Sequence, residues 1–521
     1  MYSAKNKPIM KNKILLSVFI FSLIPTLLFA LPNRTEAKGH LAFSDSTGTK
    51  NLNVRISLID SLRGTNYKNS SVYYDNSAIF KLSVMGELSQ SFRFESHNEL
   101  ISDYTNRFIN SNHFNPSDGI PYTKESDNSK GWNRFRASLE YDLPFTTILA
   151  GYDYLQWGVA KRNPVILRGS NHIYRPWMDT TSFIFEPAPT PYFGYQFEFG
   201  RLSYTQYATK LYHKKNTGKY LNAHRLQINL PFDIELGASE MIIYGTTTEF
   251  DQTNPNPDAD STSRHFEWVY AIPFIPYLFA EPLLGDLDNN ALAFDIRVNT
   301  LKNYEFYGEL FFDDLANPLS MFDDSWWGNK WAASIGFTAK DFCTTSSICF
   351  SFNTEYTRVE PWVYTHHKGA GYTYSNYGSS LGSDLGPNSQ ELYTRIDAEW
   401  NFLQLTLEAS AVDQDTAFGG NLYDIHTPLS DTDKSFLEEE STIQYVELKS
   451  SLLVSPTDFF WTRIGYSFYF GDYNNLGEKA TDIIATNIIE KSTFGDDRFE
   501  YKAKSLYNIA NNEIQFFSKT Q

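Results

Sequence analysis

The chain has 521 residues, a net charge of −17 and an aromatic content of 16%, with 41 Phe, 34 Tyr and 10 Trp. Its two cysteines, Cys343 and Cys349, are too few for a disulfide-built scaffold or a four-cysteine zinc site. The acidic balance argues against a nucleic-acid partner, because neutralising phosphates requires an excess of Lys and Arg. Composition therefore disfavours a small secreted knot and a DNA-binding protein.

The N-terminus has the pattern of a secretory signal peptide. Four lysines between residues 5 and 13 form a basic region, and an apolar run follows over residues 14–32. We expect residues 1–30 to be the signal peptide, with cleavage after Ala30 and Ala37 as the second candidate. The alternative is an uncleaved helical anchor, since the run is long enough to span a bilayer; Pro25 inside the run favours cleavage. Beyond it no stretch approaches 18 uninterrupted apolar residues, so a membrane crossing elsewhere would use strands.

Apolar and charged residues alternate along much of the remaining chain. In residues 134–143 one face carries Phe135, Leu139 and Tyr141, and the opposite face carries the charged residues Arg134, Arg136 and Glu140. A period of two residues indicates a strand with one apolar and one polar face. The same alternation recurs near residues 80–84, 92–95, 395–400 and 498–509. We predict that the apolar faces contact lipid and that the charged faces point inward and pair across strands.

Short turns alternate with long polar loops. Turns are predicted near residues 89–90, 144, 200–201, 231, 401 and 455–456, and loops over residues 104–131, 157–181, 246–263, 313–329, 359–389, 413–441 and 471–496. This plan is typical of an all-β fold, a transmembrane antiparallel β-barrel with short periplasmic turns and long extracellular loops. We expect about 18 strands, within a range of 16–20. The alternatives are a secreted β-sandwich, β-helix or propeller.

The barrel is predicted to occupy residues 77–521. Residues 31–76 are expected to form an N-terminal periplasmic segment, a first strand near residues 53–60, or a plug in the barrel mouth. The predicted location is the bacterial outer membrane.

The sequence has no HExxH and no GxSxG motif, which mark many zinc peptidases and serine hydrolases. His366 and His367 lie in a polar loop, and we interpret them as an exposed pair because metal-site spacing is missing. Acidic clusters in the loops lack EF-hand spacing and are interpreted as solvated. We therefore expect no metal, no cofactor and no enzymatic activity. Cys343 and Cys349 flank a short turn and are predicted to form a hairpin-closing disulfide outside the cytoplasm.

Aromatic residues in the long loops have two interpretations. They could form the interfacial girdle that flanks a membrane barrel, or they could stack against the apolar faces of sugar rings. The candidates for polysaccharide binding are Trp326, Trp327, Trp157, Trp177, Tyr372, Tyr374 and Tyr377. Trp326 and Trp327 lead because Asp and Asn side chains flank them in FDDSWWGN.

Several stretches, covering roughly residues 75–420, resemble the capsule assembly protein Wzi family. They are LAGYDYLQWG (149–158), FGYQFEFGRLSYTQYATKL (193–211), AHRLQINLPFDIELGASEMIIYG (223–245), AIPFIPYLFAEPLLGDLDNN (271–290), YGELFFDDL (307–315) and YGSSLGSDLGP (377–387). The clearest positions are Trp157, Gly158, His224, Arg225, Glu240, Asp313 and Asp314. The resemblance implies an 18-stranded outer-membrane barrel that acts as a lectin and holds capsular or related polysaccharide at the cell surface.

The sequence therefore predicts a non-enzymatic barrel that binds surface polysaccharide. A porin-like channel for small solutes is the first alternative, and an outer-membrane enzyme acting on lipid or glycan is the second. The expected partners are surface polysaccharide, outer-membrane lipids and the barrel-assembly machinery. We expect a monomer.

Overall fold

The computed structural model describes residues 34–44, 51–66, 72–105, 122–126, 129–171, 187–212, 218–246, 264–285, 288–314, 318–323, 326–344, 348–366, 369, 371–416, 418–422, 434–437, 443–457, 460–473 and 482–493. The predicted signal peptide, Trp177, His367 and the strand predicted at residues 498–509 lie outside these ranges.

The described residues are mostly β-strand. The strands are β1 (Arg34–Ser44), β2 (Asn51–Asn66), β3 (Val72–Ser89), β4 (Phe92–Thr105), β5 (Tyr122–Ser126), β6 (Ser129–Asp142), β7 (Thr146–Asp153), β8 (Gln156–Trp157), β9 (Leu167–Arg168), β10 (Thr190–Phe199), β11 (Leu202–Lys210), β12 (Lys219–Leu230), β13 (Ile234–Gly245), β14 (Asn289–Val298), β15 (Tyr304–Asp314), β16 (Lys330–Cys343), β17 (Ile348–Val359), β18 (Ser375–Asn376), β19 (Ser379–Ser380), β20 (Ser389–Trp400), β21 (Leu403–Gln414), β22 (Ile443–Thr457), β23 (Phe460–Tyr473) and β24 (Asp482–Thr493). Helical elements are short: α1 (Tyr277–Ala280) and the 3-10 turns Trp268–Ala271, Glu281–Leu284 and Pro318–Phe322.

Eighteen strands form an antiparallel β-barrel in which neighbours in the chain are neighbours in the sheet. They are β2, β3, β4, β6, β7, β10 to β17 and β20 to β24. β2 pairs with β3 and also with β24, from Asp60↔Lys491 to Asn66↔Ala485. β1 pairs with β2, and β5 pairs with β6. The predicted fold class is confirmed.

Short and long connections alternate around the barrel, as predicted. Tight turns join β3 to β4, β6 to β7, β10 to β11, β12 to β13 and β20 to β21, and long connections follow β4, β7, β13, β17 and β21. The expectation that residues 471–496 form one loop is wrong, because β24 spans Asp482–Thr493. Its Ile and Thr residues favour a strand, but its adjacent isoleucines break the period of two. The turn expected at residues 455–456 lies within β22, which continues to Thr457.

The two faces of the strands are as the alternation predicted. Phe135, Leu139 and Tyr141 are exposed on the outside of β6. On the inside, the Arg93 guanidinium lies 2.9 Å from the Glu140 carboxylate and 2.6 Å from that of Asp142. Two more inward pairs involve this strand: Arg134 lies 3.6 Å from Glu99, and Arg136 lies 3.2 Å from Asp153. The inward charges therefore pair across neighbouring strands.

Cys343 and Cys349 face each other across the connection between β16 and β17 and form the predicted disulfide. In the part of the chain that the structure describes, no helix is long and apolar enough to cross a membrane.

The facing of β6 gives a stability prediction. Leu139→Arg places a charge against lipid and should destabilise the barrel by about 2–4 kcal/mol near the bilayer midplane, and by less toward an interface. Ser138→Arg is the matched control, because Ser138 faces inward opposite Glu95. Unfolding in reconstituted vesicles measures both variants. Equal losses would show that the assigned facing is incorrect.

Candidate functional site

Part of the connection between β7 and β10 folds into the barrel. We call residues 154–171 the luminal loop; it carries the short β8–β9 pair. The buried carboxylate of Glu309, on the inner face of β15, accepts hydrogen bonds from the backbone N–H groups of Val159, Ala160 and Val165. The last two are 2.6 and 2.8 Å long. One wall carboxylate therefore holds two separate stretches of the loop.

Two more wall carboxylates hold the centre of the luminal loop. Glu355 on β17 accepts from the backbone N–H groups of Lys161, Arg162 and Asn163 at 2.8, 3.0 and 2.7 Å. Glu391 on β20 accepts from the Arg162 guanidinium at 3.0 Å and from the Asn163 side chain. Hydrogen bonds to an ionised acceptor are stronger than neutral ones, and a buried carboxylate needs such donors. The irregular backbone and the buried charges satisfy each other.

Gly158 allows the close approach of the luminal loop to Glu309. Its φ is +104°, a conformation that L side chains rarely adopt, and a Cβ there would lie 2.2 Å from the Glu309 Oε1. The preceding Trp157 is buried, with its ring 5.6 Å from that of Tyr207. The adjacent residues Trp157 and Gly158 thus position the luminal loop.

Apolar packing fills the lumen beside these carboxylates. Val165, Ile166 and Leu167 of the luminal loop are each 0% exposed. Together with Trp157 they pack against inward side chains of the wall, including Leu221, Ala223, Met241, Ile243, Ala291, Ala293 and Phe311. This part of the lumen is a packed core.

A second segment, residues 360–388 between β17 and β20, locks the luminal loop in place. The Tyr364 hydroxyl donates to the Val165 carbonyl and the Tyr374 hydroxyl to the Ile166 carbonyl, both at 2.9 Å. The Arg168 Nε donates to the Ser380 carbonyl at 2.8 Å. We call residues 360–388 the locking loop.

Asp313 ties the locking loop to the wall. Its carboxylate accepts from the Tyr364 backbone N–H at 2.8 Å and lies 3.1 Å from the Lys330 ammonium. On the same side of the molecule, Lys434 pairs with Glu360 at 2.8 Å. Three connections, namely the luminal loop, the locking loop and the connection after β21, are therefore joined by buried ion pairs and hydrogen bonds.

Lys161 is the buried cation of the luminal loop. Its ammonium donates to the Thr338 hydroxyl at 2.6 Å, pairs with Glu305, and lies 4.8 Å from the centre of the Tyr307 ring. Burial lowers the pKa of the Lys161 ammonium to about 8, and the Glu305 carboxylate offsets only part of that effect. The loop therefore carries a desolvated cation that is still largely protonated at neutral pH.

The six aromatic candidates that lie in the described ranges occupy different environments. Four are buried in packed clusters: Trp157, Trp327, Tyr372 and Tyr374. Trp326 and Tyr377 are half-buried, and the Tyr377 ring stacks 4.3 Å from that of Tyr212. The buried rings offer no open face to a sugar, whereas Trp326 and Tyr377 keep part of their surface exposed.

The positions on which the family resemblance rests also lie in different parts of the structure. Arg225 faces inward and bonds Asp295 at 2.9 Å, and Asp313 holds the locking loop. His224 and Glu240 pair at 3.0 Å on the outer face of the barrel, away from the lumen. Asp314 ends β15. The motif therefore belongs to at least two sites rather than to one.

Sequence reasoning missed Glu309, Glu355 and Glu391. Their only local signal is an acidic residue on the inward face of a strand, which also describes ordinary lumen-lining charges. Within the described ranges, no group of three or more His, Cys, Asp or Glu side chains could hold a metal ion.

No protein-family model and no curated protein sequence matches the chain. Several solved structures are similar to it. Wzi from Escherichia coli, described as an outer-membrane protein involved in group 1 capsule assembly and a carbohydrate-binding β-barrel, has a TM-score of 0.48 and 11% identity, covering 94% of this chain and 90% of its own. OpdK, an outer-membrane protein from Pseudomonas aeruginosa, has a TM-score of 0.42 and 8% identity, covering 85% and 97%. OprD from the same organism has a TM-score of 0.42 and 10% identity, covering 86% and 96%.

Gly158 provides a test of the luminal anchor. Gly158→Ala should destabilise the barrel because the new Cβ overlaps the Glu309 carboxylate and the backbone conformation is strained. Gly200→Ala is the control, since Gly200 also has a positive φ (+66°) but has no atom within 4 Å of its added Cβ. The control should cost about 1–2 kcal/mol, and Gly158→Ala clearly more. Denaturant unfolding followed by heat-modifiable gel migration measures both; matching losses would contradict the anchoring role.

Proposed function

We propose that this chain is an outer-membrane β-barrel that binds surface polysaccharide through its extracellular loops and retains it at the cell surface, without catalysing a reaction. The observation that carries the proposal is the packed lumen between β11 and β20, where the luminal and locking loops fill the space that a wide channel would need. Outer-membrane lipids and the barrel-assembly machinery are the further partners that this function requires.

Loops that are held rigidly suit ligand binding. A binding surface that is ordered before the ligand arrives loses less conformational entropy on association. In this barrel, Glu309, Glu355 and Asp313 order the long connections through buried hydrogen bonds. The same bonds that obstruct the lumen therefore preorganise the extracellular loops.

Trp326 is the side chain best placed to stack against a sugar. It is half-buried, and its ring lies over Gly328, where an added Cβ would be 2.3 Å from the ring. The neighbouring Trp327 is buried, with its ring 6.2 Å from that of Trp362 and 5.9 Å from the Lys330 ammonium. Trp327 supports the loop while Trp326 presents a partly open face.

The two tryptophans should behave differently on truncation. Trp326→Ala should lower cell-associated polysaccharide and raise shed polysaccharide while surface expression stays normal. Trp327→Ala should instead destabilise the protein by about 3–5 kcal/mol, as truncation of a buried Trp usually does. Trp400→Ala, at an outward position near a periplasmic turn, is the control and should leave retention unchanged. Normal retention by a folded Trp326→Ala variant would move the site away from this loop.

The His224–Glu240 pair does not favour an enzyme. The Glu240 carboxylate also accepts from the backbone N–H groups of Tyr277 and Leu278, at 2.8 and 2.7 Å. The His224 ring lies 4.4 Å from that of Tyr277 and 5.8 Å from that of Tyr204. The pair is enclosed by packed side chains and anchors a chain segment, so the proposal assigns it no catalytic role.

A small-solute channel is the second candidate. Inward charges on β3, β4 and β6 are only partly buried, including the pair Lys81–Glu99 at 3.3 Å and the Arg93 guanidinium. Partly exposed inward charges are typical of a water-filled lumen. This side of the barrel therefore has the lining that a narrow pathway beside the two loops would use.

Planar-bilayer conductance distinguishes the two functions. We expect the purified wild-type barrel to show no large, steady openings, because the loops fill the lumen. The double variant Glu309→Gln and Glu355→Gln should release the luminal loop and produce large openings. A glutamine side chain is neutral, so the charge-assisted hydrogen bonds are lost, and its own amide N–H groups would face the backbone N–H groups of the loop. Large openings in the wild type, together with unchanged surface polysaccharide in a deletion strain, would favour the channel.

A further inference from the structure

A loop segment lies on the outside of the barrel wall. The outward face of β14 is identified by its exposed side chains Leu292, Phe294 and Ile296. Glu240 on β13 is directly opposite Leu292, and His224 on β12 is directly opposite Glu240. Residues that are opposite each other in an antiparallel pair share a face. Glu240 and His224 therefore point away from the lumen.

Residues 264–285 cover these outward polar side chains, and we call them the outer flap. The flap makes further hydrogen bonds besides the two to Glu240. The Tyr270 carbonyl of the flap accepts from the Gln206 side chain at 2.7 Å. The Ala271 carbonyl of the flap accepts from the Tyr195 hydroxyl at 2.6 Å. Its irregular backbone is thus bonded to three wall strands, β10, β11 and β13.

The inner side of the outer flap is a closed packing surface. Tyr270 and Tyr277 are fully buried against Ile242 and Tyr244 of β13. The Tyr270 hydroxyl donates to Asp288 at 2.6 Å. The flap is therefore a fixed part of the wall.

The outer side of the flap is apolar and exposed. Trp268 is 77%, Phe279 is 70% and Leu283 is 81% exposed. Ile272, Phe274 and Leu278 are also exposed. So many large apolar side chains on a single 22-residue segment exceed what scattered surface residues would give and indicate a contact surface.

The position of Glu240 along β13 gives the depth of the flap in the membrane. Glu240 is six residues beyond Ile234, where β13 leaves its tight turn. At about 3.4 Å per residue and a tilt of about 40°, Glu240 lies roughly 15 Å above the turn. The apolar band of such barrels is about 25 Å tall. Glu240 and its cover therefore fall inside that band, on the extracellular half.

We propose that the outer flap is embedded in the bilayer, with the acyl chains of the outer leaflet packed against Trp268, Phe279 and Leu283. The apolar side of the flap continues the lipid-facing belt formed by Leu292 and Phe294 of the adjacent strand. Without the flap, His224 and Glu240 would face hydrocarbon, where unsatisfied polar groups are costly. The flap therefore supplies an apolar surface over these two polar side chains. This inference does not depend on which ligand the extracellular loops bind.

Site-directed spin labelling of the full chain in phosphatidylcholine vesicles tests the proposal. Phe279→Cys and Leu283→Cys each introduce one free cysteine, since the native pair is a disulfide. Leu392→Cys, on the outward face of β20, is the lipid control, and Lys302→Cys, in the turn after β14, is the water control. Collision rates of the nitroxide with oxygen and with a water-soluble nickel chelate are then compared.

We expect both flap labels to resemble the Leu392 label, with oxygen colliding more often than the nickel chelate. Two flap sites are used so that one poorly folded variant does not decide the result. Labels that resemble Lys302 would show that the flap faces water. Labels that neither reagent reaches would show that protein, such as a second copy of this chain, covers the flap. Either result would overturn the proposal.

Discussion

A carboxylate that is removed from water must receive hydrogen-bond donors, and a backbone segment without regular structure must find acceptors for its N–H groups. Both requirements are met by the same contacts in this barrel. Glu309 and Glu355 project from the inner wall and accept hydrogen bonds from the backbone N–H groups of residues 159–163 and 165. Irregular backbone at membrane depth is tolerated only where protein or water satisfies it. The rest of the interior, including the apolar packing of Ile166 and Leu167, depends on these hydrogen bonds between wall carboxylates and loop amides.

The outer face of the wall uses the same device. Glu240 projects from the outer face of β13 and accepts hydrogen bonds from the backbone N–H groups of Tyr277 and Leu278 at the start of helix α1. The luminal loop and the outer flap therefore share one principle, in which acidic side chains on the strands accept hydrogen bonds from the backbone N–H groups of a connection. At β11 and β13 the wall therefore carries loop residues on both faces, packed against Tyr207 and Met241 inside and bonded to Gln206 and Glu240 outside.

The arrangement relates stability to function. A wide channel requires an open lumen, whereas a binding surface requires loops that keep their shape. The locking loop bears on both properties, because Tyr364 and Tyr374 donate to the luminal loop from one of the long connections, which are the connections proposed to bind the ligand. Loosening the interior should therefore change the outer surface as well. On the opposite side of the barrel, where Arg93 and Glu140 remain partly exposed, the wall has no such constraint from the described loops.

Much of the architecture is determined by local sequence patterns. The period of two residues assigns Leu139 outward and Glu140 inward, because the side chains of a strand alternate between two faces. The position of the short turns, and the disulfide between Cys343 and Cys349, also follow from neighbouring residues. β24 does not follow from such a pattern, since its adjacent isoleucines obscure the alternation although their β-branched side chains favour a strand.

Only the tertiary structure decided which side chains form a site. The contact between Val159 and Glu309 joins residues 150 apart, and that between Lys161 and Glu355 joins residues 194 apart. No local period carries such information, so an inward Glu that captures a loop has the same sequence pattern as one that lines water. Burial likewise separated Trp326 from Trp327, which the sequence treats alike. The sequence by itself determined the barrel and its two faces, because strand geometry is local; the packing of loops against the wall was decided by contacts that exist only once the barrel has formed.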